Sequence, residues 1–588
     1  MRCFLAIRNY FVVIVGIGTF SLTTFVKSQT LIGTDGLGRV LPATEHVGLP
    51  KDNRHVAVFY FLWQGHGASV TSETHWDLDK LYTHTSEVFR DFNHPGWGGG
   101  ATNPGRYYYW GEPVYGYYKG DDYWVHLKNI QLLTDAAVDI LIIDATNRIT
   151  YPLESDALMR AMEAVRKQGK NPPKIVYYTN TASGDAMQEI YDNYYKPGAL
   201  YRYPESWFYL EGKPLIIGLS KDAQGRDYEN YFTIRESQWP NESQKINGWP
   251  WIEFQRPQYV YENHLGQREI VNVSAAQHPN LDACMGGSAF YGQSGNWGRS
   301  FRNGHSGNPE KDMLYGYNIQ EQWDFALKQD VPFVFVTGWN EWIAGKWRRT
   351  IGDTTQALFV DQASPEYSRD IEPTRTAGLK DHYYMQMVAN IRRYKGVEAQ
   401  QVLGASKTIR TWTDWDEVYP EYHDYVGDII HRSHRGAQSD PITQYANTTG
   451  RNDFELMKVA RDRKNIYFYV QCANTISGNR TANNWMALYI DIDRSHATGW
   501  QGYDFRVVSG NKLQRYTDGC WQDIKSLTNK LDESRLMLTI PRKILQMKGK
   551  DFEFKWIDNM QEEEPLDWYV NGDVAPGGRF NFWVRGVD

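Results

Sequence analysis

The stretch PFVFVTGWNEW, Pro332–Trp342, decides the reading of the fold. It opens as an unbroken apolar run, the pattern of a strand covered on both faces, and closes in polar residues set between indoles. Runs of the same kind stand upstream at Val56–Trp63 (VAVFYFLW), Asp139–Asp144 (DILIID), Lys174–Thr179 (KIVYYT), Lys213–Leu219 (KPLIIGL) and Ile270–Ala276 (IVNVSAA). Helical patterns lie between them, as at Ala157–Gln168 and Ile319–Lys328. Alternation of strand and helix from Val56 to Tyr394 predicts an α/β fold, a (β/α)8 TIM-type barrel. A doubly wound sheet is disfavoured because no G-x-G-x-x-G follows a strand. Phe232–Glu236 and Leu358–Asp361 are the expected strands that bring the number to eight.

Outward from this core the character changes. A helix at Asp381–Tyr394 closes the barrel, residues 397–407 read as a linker, and 408–588 hold short alternating runs separated by polar turns. Phe454–Val459, Ile466–Val470, Trp485–Ile490 and Phe552–Ile557 are examples, and the pattern is that of an antiparallel β-sandwich. The barrel is assigned 29–396, and residues 1–28 read as a secretory signal peptide. Arg2 and Arg8 precede an apolar run from Tyr10 to Phe20, about half the ~20 residues that span a bilayer. The expected location is therefore secreted, periplasmic or extracellular in a bacterium, with no membrane span after cleavage.

Of the 588 residues 15% are aromatic, and formal charge is -7 without a Lys/Arg run. This excludes long disorder and argues against a nucleic-acid partner. Tyr and Trp pair a flat apolar face with a polar handle, so the excess points to a ligand with flat faces. The densest stretch, Tyr107–Trp124, is read as a loop roofing a cleft. Four cysteines make no disulfide framework; Cys472 and Cys520 either bridge or remain buried thiols. No H-E-x-x-H, G-x-S-x-G, P-loop or zinc-spaced set appears, and no organic cofactor is implied. The expected state is a monomer.

Barrel chemistry gathers at the C-terminal ends of strands. Glu341, flanked by Trp339 and Trp342, is either a partly desolvated carboxyl suited to acid/base work, with Asn340 placed for a substrate hydroxyl, or the partner of a nearby Arg or Lys with the indoles in the core. Asp144 follows four aliphatics; it serves either as nucleophile or base beside Glu341, the expected general acid/base, or as a helix cap. Glu253 in WPWIEFQRP is the reserve acid, and Glu112 in YYYWGEP is a further acid among aromatics. Trp63, Asn147, Gln277, His278 and Arg299 complete the expected substrate shell. Paired carboxyls with aromatic walls suit glycosidic hydrolysis, one protonating the leaving oxygen while the other attacks carbon or activates water. The expected substrate is a polysaccharide or oligosaccharide. Two rivals stand beside this reading: non-catalytic glycan capture, and a polysaccharide lyase using His278 and a Tyr.

On VFYFLWQG, DILIIDATN, TGWNEW and EYSRDIEP, residues 50–396 resemble the glycoside hydrolase family 71/99-like barrels, which include endo-α-mannosidases. The resemblance implies a catalytic Glu341 and a second Glu three residues on, where this chain has Ala344. A different partner acid is then required, and Asp144 is the choice. The second half looks like a family 9-type carbohydrate-binding module, on WTDW, FELMKVARDRKNIYFYV and NWMALYIDIDRSHATGWQGYDF. In the last string Asp491, Asp493 and Asp504 surround a turn, as capping residues or as ligands of a structural Ca2+. Some such modules hold sugar between two indoles, and Trp500 and Trp521 are available.

Overall fold

The computed structural model describes residues 30–65, 76–97, 107–279, 295–348, 354–359, 364–439, 442–547 and 549–586. The expected signal peptide, 1–28, and Cys284 lie outside the described residues. The first half is built on a nearly closed, barrel-like parallel sheet. In chain order its parallel strands are β1 (His55–Tyr60), β2 (Ile140–Ala145), β3 (Lys174–Thr179), β4 (Lys213–Gly218), β5 (Thr233–Gln238), β6 (Gly248–Pro250), β7 (Arg268–Ser274) and β8 (Phe333–Thr337). β8 pairs with both β1 and β7, so the order runs from β6 through β1 to β7. Between the three-residue β6 and β7, the buried Arg235 of β5 holds Glu269 of β7 through two hydrogen bonds of 2.8 and 2.7 Å.

The unbroken apolar runs are explained by the two-residue period of a strand. Ala57, Phe59, Ile140, Ile142, Phe333 and Phe335 meet one another in the interior of the sheet. Their neighbours Val56, Val58, Leu141, Ile143, Val334 and Val336 pack outward against helices. Those helices are α1 (Tyr123–Asp135), α2 (Pro152–Arg166), α3 (Ser183–Ile190), α4 (Tyr317–Gln329) and α5 (His382–Lys395).

Two expectations are corrected. Full strand–helix alternation fails among the described residues, since no helix separates β5 from β6 or β6 from β7. The eighth strand is Gly248–Pro250 rather than Leu358–Asp361. Ala357–Phe359 instead pairs antiparallel with Ile343–Arg348 in a four-stranded sheet that also contains Tyr107–Tyr109 and Trp76–Asp77. That sheet continues the chain beyond the C-terminal end of β8 and carries its own core of Phe89, Trp97, Tyr108 and Phe359.

The second half is two antiparallel sheets. Phe454–Arg461, Asn465–Cys472 and Arg535–Pro541 form the centre of one, and Phe580–Val584, Phe552–Asp558 and Ala487–Asp491 the centre of the other. Phe454, Phe468 and Val470 from the first meet Leu488, Phe554 and Phe582 from the second in one core, which is a sandwich. Ile32–Gly33 adds to its edge against Phe580–Val584, although it precedes the barrel in sequence. In the expected linker, Leu403 is buried in this core and its N–H donates to Arg585 O at 2.8 Å. A hairpin of Arg432–Ser439 and Ile442–Asn447 returns to the barrel, where buried Arg432 grips Asp122 at 2.7 and 2.9 Å. Asp122 is also the N-cap of α1. No helix among the described residues is long and apolar enough to cross a membrane.

Candidate active site

The chain leaving β8 is clamped by residues 368–372. Ile371 and Glu372 donate backbone N–H to Trp339 O at 3.1 and 3.0 Å, and Asp370 Oδ1 accepts from Glu341 N. This fixes the side chains in opposite directions. Trp339 turns outward onto Tyr384, edge to face at 5.9 Å, and Trp342 stacks on Trp110 at 4.6 Å. Glu341 is buried on the other side in an ion pair with the buried guanidinium of Arg369. Arg369 in turn lies over the ring of Trp251 at 5.0 Å, and Trp251 belongs to the barrel interior. The expectation that two indoles desolvate Glu341 is therefore corrected: Trp339 and Trp342 turn away from it and an arginine pairs with it.

Two further buried acids form the frame. Asp370 accepts from Trp110 Nε1 at 2.5 Å, and burial pushes its carboxyl up to about 7. Glu372 accepts from Tyr118 OH at 2.9 Å, Asn129 Nδ2 at 2.8 Å and Trp342 Nε1. Burial outweighs these donors and pushes it up to about 8.

Asp144 lies at the matching end of β2. It falls on the parity of Ile140 and Ile142, so its side chain belongs to the interior face, at the C-terminal end. Its Oδ1 accepts from Thr146 N at 3.0 Å, which is a turn-capping bond. β2 and β8 both flank β1, so the two strand ends stand roughly 10 Å apart, two inter-strand spacings. Half-buried Trp63 and Trp239 border the same end; Trp239 meets Trp251 edge to face at 5.5 Å, and Trp63 meets Tyr107 at 6.4 Å.

Most of the remaining expected residues bond within the protein. Asn340 is fully buried: its Oδ1 accepts from Phe61 N at 2.8 Å and its Nδ2 donates to Phe61 O and Tyr118 OH, both at 3.1 Å. It bolts the end of β8 to the end of β1 and has no group left for a substrate hydroxyl. Gln277 is held by Gln322 and Asn318 at 2.6 and 2.8 Å. Arg299 donates to Pro365 O, Ser368 Oγ and Asp370 O, anchoring the clamp from behind. Buried His278 meets Tyr367 O through Nε2 at 2.9 Å. Glu253 accepts from Tyr261 OH at 2.9 Å and Gln255 N at 2.8 Å, and burial raises its pKa. Glu112 pairs with Lys80 at 2.7 Å, and Asn147 is exposed in the turn after β2.

The aromatic stretch at Tyr107–Trp124 is not a roof. Tyr108, Tyr109, Trp110, Tyr115, Tyr117, Tyr118 and Trp124 are all buried, and the segment is packing between the small sheet, α1 and the sandwich hairpin.

No family model matches the chain, and no curated relative matches it. Solved structures match part of the chain. The chain is similar to GH99 endo-α-mannosidases. One, from Bacteroides thetaiotaomicron in complex with bis-tris-propane, has 13% identity and a TM-score of 0.33, covering 58% of this chain and 98% of that one. A second structure of the enzyme from the same organism has 14% identity and a TM-score of 0.34, covering 58% and 96%.

In the sandwich, Asp491, Asp493 and Asp504 each bring a carboxylate oxygen within 4.8 Å of the others. Backbone N–H groups of Asp493, Arg494 and Ile492 orient Asp491 and Asp504, while burial and neighbouring acids push Asp491 up to about 8. Three carboxylates converging without a nitrogen or sulfur donor fit a hard cation. Trp500 and Trp521 touch each other at 6.4 Å with planes 59° apart, which leaves no slot for a sugar ring between them. Cys472 is a buried free thiol and Cys520 an exposed one, so neither bridges the other.

Arg369, Asp370 and Glu372 carry roles that residue-by-residue reading did not assign. Their signal was the string SRDIEP, three charges around a single aliphatic in a stretch with neither strand nor helix period.

Proposed function

We propose that the protein is a secreted glycoside hydrolase on a (β/α)8-type barrel, endo-acting on a complex polysaccharide or glycan through Glu341 and Asp144. The observation that supports this most is the convergence of these two acids at one end of the parallel sheet, beside Trp251 and the half-buried Trp63 and Trp239. Indole faces suit the apolar C–H faces of sugar rings. Paired with Arg369, Glu341 takes the charged role, as nucleophile or base, and Asp144 donates the proton to the leaving oxygen. The absence of a second glutamate at Ala344 gives that task to Asp144. The sandwich holds a structural Ca2+ through Asp491, Asp493 and Asp504.

A glycan panel incubated with the protein should yield new reducing ends, and Glu341→Gln and Asp144→Asn should each lower that rate by roughly 10²- to 10⁴-fold. Full activity in Glu341→Gln would end the proposal. The Glu341–Arg369 pair also favours a second reading, a glycan-capture protein in which the acid is structural. Retardation in a glycan-containing gel without new reducing ends would select it. The lyase alternative finds little support in His278, whose Nε2 is engaged by Tyr367 O.

A further inference from the structure

A second oxygen-rich cluster lies where the sandwich meets the barrel, away from the acids proposed to do chemistry. Asp424 and Asp428 follow the strand Glu421–His423, Asp453 precedes Phe454–Arg461, and Asp573 opens Asp573–Ala575; all four are buried. One carboxylate oxygen from each of Asp428, Asp453 and Asp573 lies within 4.8 Å of the others. That is the span available to ligands about 2.4 Å from one central ion.

Hydrogen bonds orient the cluster without completing it. Gly427 N donates to both oxygens of Asp453 at 3.0 and 2.8 Å, and Phe454 N and Val574 N donate to Asp573 at 2.6 and 2.8 Å. Asp428 Oδ2 accepts from Lys128 and Gln131 of α1, both at 3.2 Å. Asp428 Oδ1 and Asp424 Oδ2 are buried without a hydrogen-bond partner, although each residue is only 8% exposed. Both residues line a cavity of about 40 Å³ between α1 and the sandwich. This is room for a few waters at roughly 10–15 Å³ each.

The charges do not balance either. Lys128 is the one ammonium within ion-pair distance of the four acids among the described residues, and Lys555 is spent on Pro576 O and Gly578 O. Burying unpaired carboxylate oxygens is costly, and a hard cation with water ligands satisfies both the charge and the lone pairs.

We propose that Asp428, Asp453 and Asp573, completed by Asp424 and cavity water, bind a divalent cation of the Ca2+ class that staples the sandwich to α1.

The test uses the full chain stripped with EDTA and then titrated with CaCl2, in an Asp491→Asn background that isolates this cluster from the turn at Asp491. Calorimetry should show an ion bound, and thermal melting a Ca2+-dependent rise in Tm. Asp428→Asn should abolish both. The diagnostic quantity is the change in Tm on adding CaCl2, because loss of the Lys128 ion pair alters the variant equally with and without the ion; the parent gains Tm with CaCl2 and Asp428→Asn does not. Crystals of the unmutated chain soaked in TbCl3 give a check independent of any variant's folding, with an anomalous peak expected among Asp428, Asp453 and Asp573. Absence of that peak, or a Ca2+ response unchanged in Asp428→Asn, would overturn the proposal.

Discussion

Replacing Glu372 by Gln should flatten the loss of stability that accompanies rising pH. Burial pushes this carboxyl from its ordinary 4.5 up to about 8, against the pull of hydrogen bonds from Trp342, Asn129 and Tyr118. The folded protein therefore holds a proton that the unfolded chain has released. A group shifted upward contributes its stability fully below the unfolded value and loses it as pH rises through the folded one. Between about pH 4.5 and about 8 the slope is roughly -1.4 kcal/mol per pH unit. Over the whole window the ceiling is on the order of 4–5 kcal/mol. Gln mimics the neutral acid in shape, and Asn129 Oδ1, buried without a hydrogen-bond partner, can accept its amide after the Asn129 side chain flips. Asp370, also shifted up, to about 7, is left in place in both proteins. Acids that do not interact with Glu372 cancel when the variant is subtracted from the parent, whereas the charge of Asp370 is one of the causes that raise Glu372 and is part of the measured difference. Urea denaturation at half-unit steps from pH 5 to 9 measures the difference. The advantage of Gln over Glu should grow with pH and level off above about 8. A difference that stays constant across the series would refute the account of Glu372 as a buried, proton-holding acid.

Arg432→Met removes one side of a buried ion pair whose partner Asp122 is 2% exposed and caps α1, so a cost of about 3–5 kcal/mol in the urea midpoint is expected. Tyr384→Phe takes away the hydroxyl that donates to Leu132 O at 2.7 Å at the end of α1, and should cost about 1–2 kcal/mol by the same measurement, with activity retained.

How much of this was legible in the sequence follows from the range over which each signal acts. Strands β1 to β4, β7 and β8 were visible because both faces of each are buried, which leaves an unbroken apolar run. β6 was not, since three residues reading Gly-Trp-Pro carry no period. Leu358 imitated a strand of the parallel sheet because it lies in a buried strand, Ala357–Phe359, of another sheet. The site was legible as a place, at the ends of β2 and β8, and less so as a set of roles. Whether Asn340, Gln277 and Arg299 face a ligand or bolt the backbone depends on partners tens to hundreds of residues away. A polar residue at a strand end has the same local pattern in both cases. Asn340 illustrates the point: its partners are Phe61 and Tyr118, more than 200 residues earlier.

The same reasoning revises what the aromatic excess means. Under the proposed function flat ligand faces account for a few indoles at the sheet end, whereas the tyrosines answer a different demand. Tyr108 OH donates to Trp97 O, Tyr109 OH to Tyr118 O, Tyr228 OH to Gly184 O, Tyr383 OH to Met313 O and Tyr394 OH to Val331 O. Except at Gly184, whose carbonyl lies in the first turn of α3, the buried ring reaches a carbonyl in a turn or at an element end, where the ladder of secondary structure provides no donor. A Leu or Phe of similar bulk would fill the space and leave the carbonyl unsatisfied. A barrel with long insertions beyond its strand ends, packed on a sandwich, has many such carbonyls to cover. Tyrosine supplies apolar area and a donor in a single side chain, so the composition reflects irregular backbone buried between two halves at least as much as it reflects a sugar.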